Sequence, residues 1–119
     1  MIKIKRVYEP ATPDDGERYL IERLWPRGIK KERPQLKAWL KDIAPRAELR
    51  QWFAHDPLKW AEFRRRYMKE LTSDATALRP LIAAAQCGTV TLLYSAHDTE
   101  HNSALVLKAF LEQKLKPKK

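Results

Sequence analysis

The chain has 119 residues, a formal net charge of +9 and a single cysteine, Cys87. That length suits one domain with its own core. No apolar run reaches the roughly eighteen residues a membrane-spanning helix needs, and one cysteine excludes an internal disulfide framework. The charge favours acidic or phosphorylated partners and says nothing about the fold.

The opening Ile2-Lys3-Ile4-Lys5 alternates and predicts a first strand over residues 2–8. It is not a signal-peptide pattern, so the cytosol is the expected location. Pro10 to Gly16 carries turn chemistry and reads as a loop. Arg18 to Trp25 reads as a second strand, stopped by Pro26, which cannot donate to a ladder. Arg27-Gly28 and a basic loop then lead to Pro34.

From Pro34 to Gln86 the pattern predicts helices, with prolines near their starts. Leu36, Trp39, Leu40 and Ile43 form the first stripe, and Leu49, Trp52 and Phe53 the second, with Pro45 at a first helical position. Asp56-Pro57 opens a third helix through Trp60, Phe63, Tyr67 and Leu71. Ser73 or Asp74 caps a fourth through Leu78, Leu81, Ile82 and Ala85, ended by Gly88. On this spacing Trp39, Trp52, Phe53 and Trp60 belong to the core, and Cys87 reads as a small buried residue.

Val90 to Tyr94 is a short run of β-branched and large apolar residues, the mark of a strand buried on both faces. Residues 95–102 are polar, and a last helix follows from near Thr99, with Leu107, Leu111 and Leu115 on one stripe. Ser95 and Asp98 match a capping box. The expected architecture is α/β: a small, three-layer-like domain over residues 1–115, with a short, mainly parallel sheet and about five helices. Residues 116–119 are expected to be a disordered basic tail.

Strand, polar turn and helix is the unit that gathers function at the carboxyl edge of a parallel sheet. If the second strand and the Val90 strand are parallel neighbours, two turns meet at one rim. Trp25-Pro26-Arg27-Gly28 then faces Ser95 to Asn102 across a crevice. Arg23 and Arg27 could clamp a phosphate or carboxylate by bidentate hydrogen bonds, and Gly28 would let the backbone approach it. Ser95, Asn102 and the backbone from Asp98 to His101 would add polar contacts. Asp98, His101 and Ser95 are the candidates for acid, base or nucleophile. Trp25, Arg50 and His55 are candidates for a second wall.

Each assignment has a plainer counterpart. Ser95, Asp98 and Thr99 could only cap a helix, Arg23 could pair with Asp98, and Gly28 could only turn the chain. His97-Asp98-Thr99-Glu100-His101 matches the inverted zinc-protease pattern His-x-x-Glu-His. That chemistry needs both imidazoles on one helical face, and His97 falls in the turn before the helix, so no metal or cofactor is expected. Arg64, Arg65 and Arg66 point away from an apolar stripe; they read as a solvated face or a nucleic-acid surface.

The chain resembles a known family. Arg23-Leu24-Trp25-Pro26-Arg27-Gly28, Trp39-Leu40-Lys41-Asp42 with Ala44-Pro45, Leu49-Arg50-Gln51-Trp52-Phe53, Trp60 to Leu71, and Leu93-Tyr94-Ser95-Ala96 with His101-Asn102 are similar to the YeaO-like branch of domain of unknown function 488. The match spans nearly the whole chain. It implies a small bacterial or archaeal cytosolic α/β protein, and it carries no established activity to transfer. A lysine commonly stands in that branch where this sequence has His97, a departure that further weakens the zinc reading. Two partner classes follow from the residues: a phosphorylated small molecule or nucleotide in the crevice, with chemistry there left open, or nucleic acid on the basic surface.

Overall fold

The computed structural model describes residues 1–31 and 34–115. Four strands form one parallel sheet: β1 (Ile2–Arg6), β2 (Glu17–Leu20), β3 (Ala38–Trp39) and β4 (Val90–Tyr94), in the order β1-β4-β2-β3. Helices α1 (Ala47–Phe53), α2 (Trp60–Ser73), α3 (Ala75–Cys87) and α4 (Ser103–Leu115) complete the described chain, with three 3-10 turns at Pro13–Asp15, Lys41–Ile43 and Pro57–Lys59. The α/β class holds. The helix count is four among the described residues, because the stretch after Pro34 is not helical. The expected tail at 116–119 lies outside the described residues. Among those described, no helix is long and apolar enough to cross a membrane.

β4 is central because every one of its residues is buried. Alternate side chains leave opposite faces of a strand. Val90, Leu92 and Tyr94 therefore join Ile2, Tyr19 and Ile21 in a large core with residues of all four helices. Leu93 turns the other way, into a smaller core with Val7, Leu20 and Ile29. The helices cover the first face, and the coil after β2 covers the second.

The second face also holds a buried carboxylate. Asp15 is 1% exposed and accepts from Lys5, Arg18, and the amide and hydroxyl of Thr12. Burial alone would raise its pKa, but those hydrogen bonds outweigh it and hold the carboxyl well below its ordinary range. The Asp15 carbonyl accepts from the buried Thr91 hydroxyl at 2.7 Å, so the loop is tied to β4. Gly16 follows with φ +62°, and a Cβ there would lie 2.1 Å from the Thr89 carbonyl oxygen. The close approach lets the Glu17 amide donate to that same oxygen at 3.1 Å.

Four sequence expectations are corrected by the backbone. Residues 36–43 do not form the expected α-helix: Lys37 N donates to Arg18 O and Leu40 N to Leu20 O, at 2.7 and 2.8 Å, so the ladder to β2 takes these donors, and only Lys41–Ile43 turn, as a 3-10 helix. Leu36 packs on the smaller core and Leu40 on the larger, so the two do not share the single stripe a helix would give them. β2 ends at Leu20, well short of Trp25. α4 starts at Ser103, one turn later than Thr99, because Asn102 caps it: Asn102 Oδ1 accepts from Leu105 N at 3.1 Å. Pro45 precedes the N-cap Arg46 and is not itself helical. Two side chains are also more exposed than expected. Trp39 is 37% exposed, and Cys87 at the end of α3 is exposed, not buried.

Candidate functional site

β2 and β4 are parallel neighbours, so their carboxyl ends share one rim. A crevice of about 430 Å³ opens there. Of the residues singled out by sequence, Arg23, Trp25, Arg27, Arg50, His55, Ser95, His101 and Asn102 line it. Gly28 does not. Its φ is +77° with nothing within 4 Å of a built Cβ, so it turns the chain in open space.

Several elements fix these side chains. Arg23 donates from Nε to Pro45 O at 3.2 Å and from Nη2 to Ala44 O at 2.9 Å. It therefore ties the coil after β2 to the turn before α1, and α1 brings Arg50 and Phe53 to the crevice. The alternative pairing of Arg23 with Asp98 does not form. α1 ends in two left-handed residues, Ala54 at φ 48° and His55 at φ 57°, which place His55 on the rim. Trp25 donates to Ile29 O at 2.7 Å and meets the Trp39 ring edge-on at 5.3 Å.

The β4 turn is held from within. Asp98 Oδ1 accepts from the Glu100 and His101 amides at 2.8 and 3.0 Å, and Oδ2 lies 2.9 Å from His101 Nδ1. The Glu100 amide, helped by His101, holds the Asp98 carboxyl below its ordinary range against partial burial. The carboxylate makes Nδ1 the protonated nitrogen and leaves Nε2 as the second polar atom of a ring that packs edge-on to Trp60 at 5.3 Å. Asn102 is engaged at both ends, by Asp98 O and Leu105 N.

Glu22, which sequence reasoning missed, forms the floor on the β2 side. Its Oε1 accepts from the Ser95 amide at 2.7 Å and the Ser95 hydroxyl at 3.0 Å. The last backbone bond between these strands is Ile21 N to Leu93 O at 3.2 Å. One step further on, a carboxylate takes the donor that a continued ladder would give to a carbonyl. Ser95 is therefore bonded to neither His97 nor His101, and it does not match its proposed capping-box role. Tyr94 is the other missed residue. It lines the crevice, its hydroxyl makes no hydrogen bond among the described residues, and burial and then the Glu9 charge push its pKa up.

Among the described residues, no group of three or more His, Cys, Asp and Glu side chains could hold a metal ion. His97 is exposed and outside the crevice lining, and the His-x-x-Glu-His segment lies in bends before α4. On α2, Arg64, Arg65 and Arg66 are exposed. Arg65 and Arg66 both donate to Glu62, at 2.7 and 2.8 Å, and hold its pKa at about 2. The Arg66 guanidinium lies 4.3 Å from the Trp52 ring centre and Lys59 Nζ 5.1 Å from it, so side chains of this protein already stack there.

Comparison with known proteins adds a family. The model described as the inactive DUF488-N3 subclade matches residues 1–119. The uncharacterised protein YeaO of Escherichia coli (strain K12) is 46% identical over 110 residues, covering 92% of this chain and 96% of that one. The uncharacterised protein Rv3073c of Mycobacterium tuberculosis (strain H37Rv) is 39% identical over 110 residues, 92% of each chain. The uncharacterised protein Mb3100c of Mycobacterium bovis is 39% identical over the same length. No solved structure matches.

Proposed function

The chain belongs to the inactive DUF488-N3 subclade, and from that premise we propose that its crevice binds a small anion, a phosphate ester or nucleotide-like molecule, without transforming it. One observation carries the reading. Arg27 and Arg50 line the same crevice, and neither guanidinium is engaged by a carboxylate or carbonyl among the described residues. A volume of about 430 Å³ lies in the range of small-molecule sites. The absence of chemistry is supported by the side chains themselves. The Ser95 hydroxyl is held by a carboxylate, not by an imidazole base, and Cys87 lies at the opposite end of β4 from the crevice.

The test is titration of inorganic phosphate into the protein by calorimetry, beside Arg27→Ala and Arg50→Ala. Saturable binding by the wild type, weakened about tenfold or more in each variant, supports the reading, since one charge-assisted contact supplies that factor. Equal binding in all three proteins would remove it. Nucleic acid, through Arg64 to Arg66, is the alternative partner. It stands second because Glu62 already engages two of the three arginines.

A further inference from the structure

The groups of the crevice that carry no internal partner are not all cationic. Arg27 and Arg50 are the positive ones. Against them stands Glu22, whose Oε1 takes both Ser95 donors while its Oε2 accepts no hydrogen bond among the described residues. Its backbone is fixed too, because the Trp39 indole donates to Glu22 O at 2.6 Å. Side chain and main chain of Glu22 are therefore each held in the crevice lining. The Tyr94 hydroxyl, also in the crevice lining, is without a hydrogen bond among the described residues.

This set discriminates between anions. A bare phosphate or sulfate would satisfy the arginines and leave Glu22 facing a like charge, which is unfavourable in a partly enclosed site. An anion that also carries hydroxyl donors would satisfy both, because a carboxylate oxygen accepts from a sugar hydroxyl as readily as from Ser95. We infer that Glu22 is a specificity residue, and that the crevice selects a hydroxylated phosphate monoester: phosphate toward Arg27 and Arg50, sugar hydroxyls toward Glu22 Oε2. The inference rests on the anion-binding reading and narrows it. A free sugar phosphate and a nucleoside monophosphate share this chemistry. The apolar wall of Leu24 and Trp25 is where a base would add contact.

The experiment compares inorganic phosphate, ribose 5-phosphate and adenosine monophosphate by calorimetry, on wild type and Glu22→Gln. The glutamine keeps an oxygen for Ser95 and removes the charge. For the wild type, ribose 5-phosphate should bind about tenfold more tightly than inorganic phosphate, the factor one hydrogen bond to a charged group supplies. In Glu22→Gln the two ligands should move in opposite directions: inorganic phosphate tighter, the ester weaker. Adenosine monophosphate binding above ribose 5-phosphate assigns the site to nucleotides, and equal binding to sugar phosphates; both support the role of Glu22. If wild type binds phosphate and ester equally, and Glu22→Gln leaves the ratio unchanged, this inference is overturned while anion binding stands. If wild type binds none of the three, the underlying reading falls with it. Should Glu22→Gln fail to fold, Glu22→Asp serves in its place. It withdraws the charge by one methylene and should lose the preference for the ester without gaining affinity for phosphate.

Discussion

Ser95 gives its amide and its hydroxyl to a single oxygen of Glu22, at 2.7 and 3.0 Å. Two strand ends are thereby joined by a side chain where their ladder stops. Removing the carboxylate strands a partly buried amide at the end of β4. Glu22→Ala is expected to cost about 1–3 kcal/mol of stability, the desolvation penalty of an unmade hydrogen bond. Ser95→Ala keeps the backbone bond and should cost less, near 1 kcal/mol. Urea unfolding of the two variants checks the order; a larger loss from Ser95→Ala would contradict it.

Asp15 gives a prediction in pH. Its folded-state pKa is depressed, so its contribution to stability is fully present above the unfolded value near 4. That contribution is lost as pH falls from there through the folded value. The melting temperature should therefore drop below about pH 4, and Asp15→Asn should flatten this part of the profile while lowering stability at pH 7. Removing one partner of a buried ion pair typically costs about 3–5 kcal/mol. A profile for Asp15→Asn parallel to that of wild type would assign the acid sensitivity elsewhere.

Gly16→Ala should be among the most damaging single-methyl additions in this chain. The new Cβ would sit 2.1 Å from the Thr89 carbonyl oxygen, and φ there is +62°. Backbone must move on both sides, and the Glu17 to Thr89 bond that starts the β2–β4 pairing would be lost. A cost above about 2 kcal/mol is expected from strain and the lost bond together. Gly28→Ala, with φ +77° and no neighbour within 4 Å, should cost only the left-handed penalty of about 1–2 kcal/mol. Chemical denaturation of both variants reads the difference directly.

Tyr67 is fully buried and donates to Ile43 O at 2.6 Å. Burial, with nearby carboxylates, drives its pKa well above the ordinary tyrosine value. Tyr67→Phe leaves the Ile43 carbonyl without this donor and should destabilise by about 1–2 kcal/mol with no change in the crevice. A loss of phosphate binding in this variant at full stability would show coupling between the core and the rim.

Charge reversal separates the two partner classes. Arg64→Glu should leave phosphate binding in the crevice unchanged, because Arg64 lies on the exposed face of α2 and not in the crevice lining. If duplex or single-stranded nucleic acid is bound, affinity should fall steeply with salt, and Arg64→Glu should flatten that slope by about one unit. A salt slope altered by Arg27→Ala and not by Arg64→Glu would place the nucleic acid at the crevice.

The rim was legible in the sequence because two independent signals converged. A continuous apolar run ending in Tyr94 announced a central strand, and Pro26 announced the end of its neighbour. Their parallel pairing then brought Arg23, Arg27, Ser95 and His101 together. Glu22 was hidden because the apolar content around it suggested a strand running to Trp25. Ending that strand at Ile21 would have put the carboxylate at the rim. The helix expected over Leu36 to Ile43 failed for a different reason. Its spacing also fits two strand residues followed by a 3-10 turn, and the free edge of β2 decided between them through Lys37 and Leu40. Asn102 takes the capping role expected of Asp98 or Thr99, since each of these residue types can cap a helix start and only the turn geometry chooses.

Cys87 is the sole thiol of the chain, and it is exposed at the end of α3. It lies a full strand, roughly 17 Å by strand geometry, from the crevice. A maleimide fluorophore would attach there in a one-to-one ratio and leave Glu22, Arg27 and Arg50 untouched. The molecule thus arrives with its own attachment point for an optical reporter, set at the opposite pole from the cavity whose occupancy it would signal.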